Sequence, residues 1–337
     1  MPINRKIMGI SRGSAGVAGA LSGTTTIAAG AAFGICISGD GKNIYTSYYG
    51  GGNNTLQLDR NTTTGALSGT TKISCGSGPQ GICISADGSS VYSVNGSGNT
   101  LSIFARNTST GALSGTTTIA TGSGGRGVCI SADGASVYSA NRTSNTVSIF
   151  ARNTSTGALS GTTTIATKTA PNGICISADG KNVYVANTSS ASVSIFARNT
   201  STGALSGTTT IATGASPIGI CISADGKNVY AANSGSAFVS IFDRNTTTGA
   251  LSGTTTIATG SAPNGICISG DGKNVYTANY GASKVSIFDR NTTTGALSGT
   301  TTIATGSAPN GICISGDGKN VYTANYGGAT VSIFTRS

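Results

Sequence analysis

The stretch GICISGDGKNVYTANYGASKVSIFDRNTTTGALSGTTTIATGSAPN, residues 265–310, recurs with few changes along the whole chain. Its cysteine falls at Cys36, Cys83, Cys129, Cys175, Cys221, Cys267 and Cys313, at spacings of 47, 46, 46, 46, 46 and 46 residues. A fixed period of this size marks a fold made from repeated copies of one small unit. Repeat folds close into one body however long they are. The 337 residues are therefore read as one unit, although length alone suggests about two domains.

Four segments of the repeat read as strands. The first is Gly265–Ser269, short and apolar. Asp271-Gly272 follows, a tight-hairpin pair in which both central residues are expected at positive φ. The second segment is Asn274–Ala278, and a loop over Asn279–Ser283 leads to the third, Lys284–Phe288. A polar turn rich in Asn, Thr and Gly comes next. The fourth segment, Leu297–Ala304, is Thr-rich as an outer edge strand is. No apolar stripe of helical period survives the density of Gly and Thr. Four antiparallel strands, repeated seven times, predict an all-β seven-bladed β-propeller of four-stranded antiparallel blades. The chain stops after a third strand, Val331–Phe334, and starts with an orphan fourth strand. Leu21–Ala28 is therefore expected to complete the last blade and leave no open sheet edge. Residues 1–15 lie outside the repeat as an N-terminal tail, and 16–337 form the propeller.

The residues carry a family resemblance. PNGICISADGKNVYVAN (171–187) resembles the YVTN-type propeller repeat, and FDRNTTTGAL (242–251) is similar to the blade turn of the lactonase-like seven-bladed propellers. That family includes 6-phosphogluconolactonase and muconate cycloisomerase types. The resemblance covers residues 16–337 and implies the fold. It implies an active site only through His, Glu and Arg at the channel mouth. This chain has no His and no Glu, so no catalytic residue transfers.

The acid inventory points the same way. Seven of the ten Asp stand in the Asp-Gly turn (Asp40, Asp87, Asp133, Asp179, Asp225, Asp271, Asp317) and read as turn formers. Asp59, Asp243 and Asp289 precede a repeated Arg and read as surface ion pairs or turn residues. No carboxylate pair remains for acid–base work, the cysteines lack a base, and a zinc site lacks His and clustered Cys. One Cys per repeat reads as a small buried hydrophobe rather than a disulfide framework. The net charge of +10 is read as part of the repeat rather than a focused patch, since seven of eleven Arg share one position. Spread by symmetry, it is no nucleic-acid patch. No run reaches the roughly 18 apolar residues of a membrane span, and the start carries no signal-peptide core. The Asn-Thr-Ser/Thr triplets are read as turn chemistry rather than glycosylation sites.

Differences between copies gather in the loops joining second to third strands and in the links entering each first strand, both on one face of the ring. Loops on a rigid scaffold are where function concentrates. Seven of eleven Tyr belong to the repeat; Tyr48, Tyr49, Tyr280 and Tyr326 do not, and Phe33 joins them on the same face. Arg126, Arg142 and Lys168 mark a separate basic arc. These eight residues are the expected binding surface. The leading expectation is a non-catalytic binding or structural scaffold, not an enzyme, contacting a protein or glycan. It needs no cofactor, binds no nucleic acid, does not insert in a membrane, and is cytoplasmic or part of a multi-copy surface or virion assembly. The alternatives are a lactonase-like or isomerase-like enzyme acting at the central funnel, and a carbohydrate-binding lectin.

Overall fold

The structure, a computed structural model, describes residues 19–49 and 52–337. The expected tail, 1–15, lies outside the described residues. Seven four-stranded antiparallel sheets form a seven-bladed propeller. In the sixth blade the strands run Pro263–Ile268, Asn274–Asn279, Lys284–Arg290 and Leu297–Ala304, from channel to rim. The first strand thus starts two residues earlier than the apolar pattern indicates, and the third runs two residues further. Leu21–Ala28 pairs antiparallel with Thr330–Arg336 and supplies the outer strand of the seventh blade. A single 3₁₀ turn, Thr188–Ser190, interrupts the all-β pattern among the described residues.

Alternation along the middle strands sends one face of every blade against the next. Tyr138, Val147 and Ile149 of the third blade pack with Ile174, Val183 and Phe196 of the fourth. Equivalent clusters fill the other blade interfaces, including the closing one, where Tyr322, Val331 and Ile333 meet Ile35, Ile44 and Leu58. Each such side chain contributes about 1.5–3 kcal/mol on full burial.

The Asp-Gly turn differs from the tight two-residue form. Gly41 takes φ +69°, while Asp40 is not among the positive-φ residues. The Gly41 amide donates to the Ser38 carbonyl at 2.8 Å, and Ser38 and Asn43 close the loop at 2.9 Å. This is a four-residue loop built on an ordinary turn followed by one left-handed Gly. Asp40 takes another part: its carboxylate accepts from the Ser38 hydroxyl and the Lys42 amide.

The repeated Arg is the clearest departure from a surface reading. Arg106 reaches from the second blade into the first. Its Nε donates to the Tyr45 hydroxyl at 2.6 Å, and its Nη2 donates to Asp40 at 3.1 Å and to Asn43 Oδ1 at 2.7 Å. The Tyr45 hydroxyl in turn donates to the Gly111 carbonyl. The same Arg–Asp pair forms at all seven interfaces, at 2.9–3.2 Å. Seven of the eleven arginines therefore form an internal girdle beneath the hairpin face. Asp59, Asp243 and Asp289 lie outside it and accept from the side-chain amides of Asn43, Asn228 and Asn274.

Candidate functional site at the loop face

Each inner strand enters the ring from the loop face, so its first residues surround the mouth of the axis. The residue three places before the repeated Cys takes five identities round the ring: Phe33, Gln80, Arg126, Asn172, Ile218, Asn264 and Asn310. The next residue is always Gly, for a steric reason. A Cβ on Gly81 would lie 2.4 Å from the Arg126 carbonyl oxygen and 3.2 Å from the Gly127 Cα. The inner strands touch backbone to backbone, and only Gly permits that approach. An invariant Gly ring thus holds seven variable side chains at one level.

Two groups form there. Phe33, Tyr49 and Tyr326 make a triangle with ring centroids 6.1–6.3 Å apart, within the range of favourable aromatic packing. Arg126 Nη1 donates to Gln80 Oε1 at 2.6 Å. Gln80 is itself 3% exposed, and its carbonyl accepts from the Ser47 hydroxyl. Burial lowers the Arg126 pKa, Arg142 lowers it further by repulsion, and the Tyr49 phenol acts in the opposite sense. Tyr49 therefore stands between two arcs that look separate along the sequence. Asn264 Oδ1 is buried with no hydrogen-bond partner among the described residues.

The remaining expected site residues lie apart. Tyr48 packs against the core cluster between the seventh and first blades, with Lys72 Nζ 5.8 Å from its ring centroid. Tyr280 is 36% exposed, and among the described residues it makes no aromatic contact. Lys168 is exposed on the link into the fourth blade. Gln80 and Asn264 escaped the sequence reading, although variation at one inner-strand position marked them. All ten Asp lie toward the opposite face, in the hairpin turns or at the ends of third strands. The mouth thus pairs guanidinium, amide and phenol groups without a carboxylate. Such a set can hold an anion or a developing oxyanion, but supplies no general base.

A groove of about 470 Å³ opens instead on the hairpin face, lined by Lys42, Asp59, Arg60, Asn61 and Thr110 among others. Counterparts recur at Lys181–Thr248 and Lys227–Thr294. Because the groove repeats with the blades and its Arg is committed to the girdle, it follows from blade spacing.

The chain matches the family described as lactonase, seven-bladed β-propeller, over residues 17–129, 115–220 and 209–309. No curated protein matches it. Among solved structures it is similar to Kuenenia stuttgartiensis hydrazine synthase, at 20% identity and TM-score 0.74 over 93% of this chain and 97% of that one. It is similar to a putative 6-phosphogluconolactonase from Bacteroides fragilis, at 22% and 0.73 over 82% and 85%. The Pseudomonas aeruginosa periplasmic gluconolactonase gives 17% and 0.70 over 82% and 86%. At these identities the structural likeness shows the fold alone. The family match overturns the expectation of a non-catalytic scaffold that is not an enzyme, and favours the lactonase alternative instead. It gives no support to a structural, virion or protein-contact role. The expectation erred by equating a missing His and Glu with missing chemistry, when a guanidinium can act as the electrophile.

Proposed function

This chain belongs to the lactonase family of seven-bladed β-propellers, and we propose that it is a lactone hydrolase acting at the mouth of its central channel. The observation that carries the reading is the Arg126–Arg142 pair, set against Gln80 and Tyr49 on a face without carboxylates. Names borne by similar structures, 6-phosphogluconolactonase and gluconolactonase, place sugar-acid lactones first among substrates to try.

Ester hydrolysis in a lactone needs little from the protein beyond charge placement. Water or hydroxide adds to the carbonyl carbon, and its oxygen becomes an oxyanion. The ring C–O bond then breaks to give the open hydroxy acid. Arg126, half-desolvated and fixed by Gln80, is positioned to hold that oxyanion with the N–H groups that Gln80 does not use. A preorganised donor in a partly dry site stabilises developing charge more than the same donor in water. Arg142 supplies a second positive charge for an anionic group on the substrate or for the carboxylate product. The Phe33–Tyr49–Tyr326 triangle offers a flat apolar wall with phenol tips for a sugar ring.

The test is turnover of a panel of sugar-acid lactones above the uncatalysed background. Arg126→Ala is expected to lower kcat about 100-fold, the cost of one oxyanion donor. Arg142→Ala is expected to act mainly on KM. Absence of wild-type turnover across the panel, or full activity in Arg126→Ala, sinks the reading. Glycan binding without turnover, lost in Tyr49→Ala, would favour the lectin alternative.

A further inference from the structure

The first blade breaks the repeat at one point inside its wall. In the other six blades the Asn that ends the second strand is hydrogen bonded to a Ser in the middle of the third, as Asn141 is to Ser148 and Asn325 to Ser332, at 2.8–2.9 Å throughout. Both residues are fully buried in all six. In the fourth and seventh blades the Thr of the entering link joins the pair, Thr167 donating to Ser194 and Thr305 to Ser332 at 2.9 Å. The first blade has Tyr48, Leu56 and Ala29 at these three places. The outer-strand residue opposite the Ser is Thr in the six, as Thr164 is, whereas Lys72 stands opposite Leu56. Changing one member of a buried polar group strands its partner at a cost, so the exchange reads as a set. Where the polar group would stand, a cavity of about 240 Å³ opens between the seventh and first blades, lined by Ala28, Ala29, Gly30, Tyr48, Leu56 and Lys72 among others. An exchange made for packing alone would close that space, because interiors fill to the density of organic crystals. The link also holds the Tyr48 ring in place: a Cβ on Gly30 would lie 2.4 Å from its Cε2.

We propose that this cavity binds a small organic acid, an apolar body of about one ring carrying a single carboxylate. Tyr48, Leu56 and Ala29 form the apolar wall, and Lys72 supplies the charge at the rim. Its Nζ lies 5.8 Å from the Tyr48 ring centroid, so a carboxylate held there leaves a ring-sized body lying along the tyrosine. All ten Asp of this Glu-free chain are among the described residues, and their ion pairs there are with girdle arginines, none with Lys72. The ammonium is thus open to a ligand's charge. The volume falls below the roughly 300 Å³ at which clefts for drug-sized ligands begin, which limits the body to about one ring. A neutral ligand would leave the charge unused, a cation would be repelled by it, and a bare inorganic anion would have no use for the apolar wall. The cavity is remote in the ring from Arg126 and Arg142 of the third blade, and its occupancy is independent of the hydrolysis proposed at the mouth.

Benzoate is the probe, and calorimetric titration the measurement. The unaltered protein is expected to bind it with a Kd of about 1 mM or tighter, as suits so small a ligand. Lys72→Thr is expected to weaken binding about fivefold, the size of an ion pair at the edge of solvent, and Lys72→Arg to keep it. Benzyl alcohol, the same body without the charge, should bind the unaltered protein more weakly than benzoate by the same factor, and the two should bind Lys72→Thr alike. The fourfold reversion Ala29→Thr, Tyr48→Asn, Leu56→Ser and Lys72→Thr gives the first blade the residues of the seventh. It is expected to fold, as judged by circular dichroism, and to lose benzoate altogether. The proposal is overturned if the unaltered protein takes up no benzoate at ~10 mM, well above the expected Kd, or if the reversion binds as well as the unaltered protein. It is also overturned if Arg126→Ala loses benzoate while Lys72→Thr keeps it, since the anion then sits at the mouth. Should the reversion fail to fold, Lys72→Thr and the comparison with benzyl alcohol decide, because Lys72 is exposed and its replacement leaves the core alone.

Discussion

Arg106 shows how far one residue's role depends on its neighbours in space. Its side chain is 2% exposed, yet its carboxylate partner, Asp40, is 32% exposed. Arg106→Ala removes the donor for the Tyr45 hydroxyl and the Asn43 side chain, whereas Asp40 turns to water. With that relief, the expected loss is about 2–3 kcal/mol rather than the full penalty of a broken buried pair. A urea midpoint measurement reads it. The acid limb of stability follows from the same groups. Burial alone would raise the Asp40 carboxyl, but the Ser38 hydroxyl, the Lys42 amide and the Arg106 guanidinium outweigh it and hold it low. Asp271 and Asp317 are held at about 2 in the same way. A carboxylate with a depressed folded pKa stabilises the fold above its unfolded value, near about 4, and that contribution is lost as pH falls through the folded value. Stability is therefore expected to decline between about pH 4 and pH 2, with the seven girdle carboxylates failing over one range. A flat urea midpoint from pH 5 to pH 2.5 would remove the girdle from the account. At the mouth no group of carboxylate or imidazole type stands by as a base, so the proposed hydrolysis is expected to follow hydroxide. Its kcat/KM should rise about tenfold per pH unit between about 6 and 8, and a plateau inside that range would expose an acid–base residue.

At the scale of the strand, glycines in two elements separate backbone strain from close approach. Gly115 lies in an outer strand at φ +60°, and a Cβ there would meet nothing within 4 Å. It forms the bulge that shifts the register against the third strand and spoils the rim as a template for another chain. Gly115→Ala is expected to cost about 1 kcal/mol, the price of a left-handed non-Gly residue. Gly81 has ordinary φ, but its Cβ would collide with the Arg126 carbonyl. Gly81→Ala must push the second and third blades apart and is expected to cost about 3 kcal/mol, the upper range for overpacking. It should also release Arg126 from Gln80. Thermal melting of the two variants side by side checks the order, and a Gly115 variant worse than the Gly81 variant would reverse it. Element bounds were legible where chemistry changes sharply, as at Leu297–Ala304. They were not at the start of the inner strand, where Pro263 and Asn264 read as connector: Pro263 pairs with Asn279 at the far end of the hairpin, and Asn264 falls in the register shift between Pro263 and Gly265.

For the whole molecule, closure is the decisive event. Leu21 pairs with Arg336 and Ala28 with Thr330, and the Gly19 carbonyl accepts from the Tyr276 hydroxyl of the sixth blade. Deleting residues 1–28 leaves the seventh blade with three strands and an exposed edge. The truncated chain is expected to aggregate or self-associate through that edge, which light scattering on a sizing column would show. A monodisperse, fully folded truncated monomer would mean that closure is dispensable.

The sequence by itself determined the architecture, because a 46-residue period with four strand segments admits few closed arrangements and the orphan Leu21–Ala28 names its own partner. It also marked the variable face, since copies that must pack alike differ only where packing does not constrain them. The tertiary structure alone decided what the constant residues do. In each girdle unit the Asp and Tyr come from one blade and the Arg from the next, about 60 residues away or, as Arg60 and Tyr322 are, at opposite ends of the chain. The same holds at the mouth, where Gln80, Arg126 and Tyr49 come from three blades' worth of sequence. Period and composition report what a residue repeats with; only the closed ring reports what it touches.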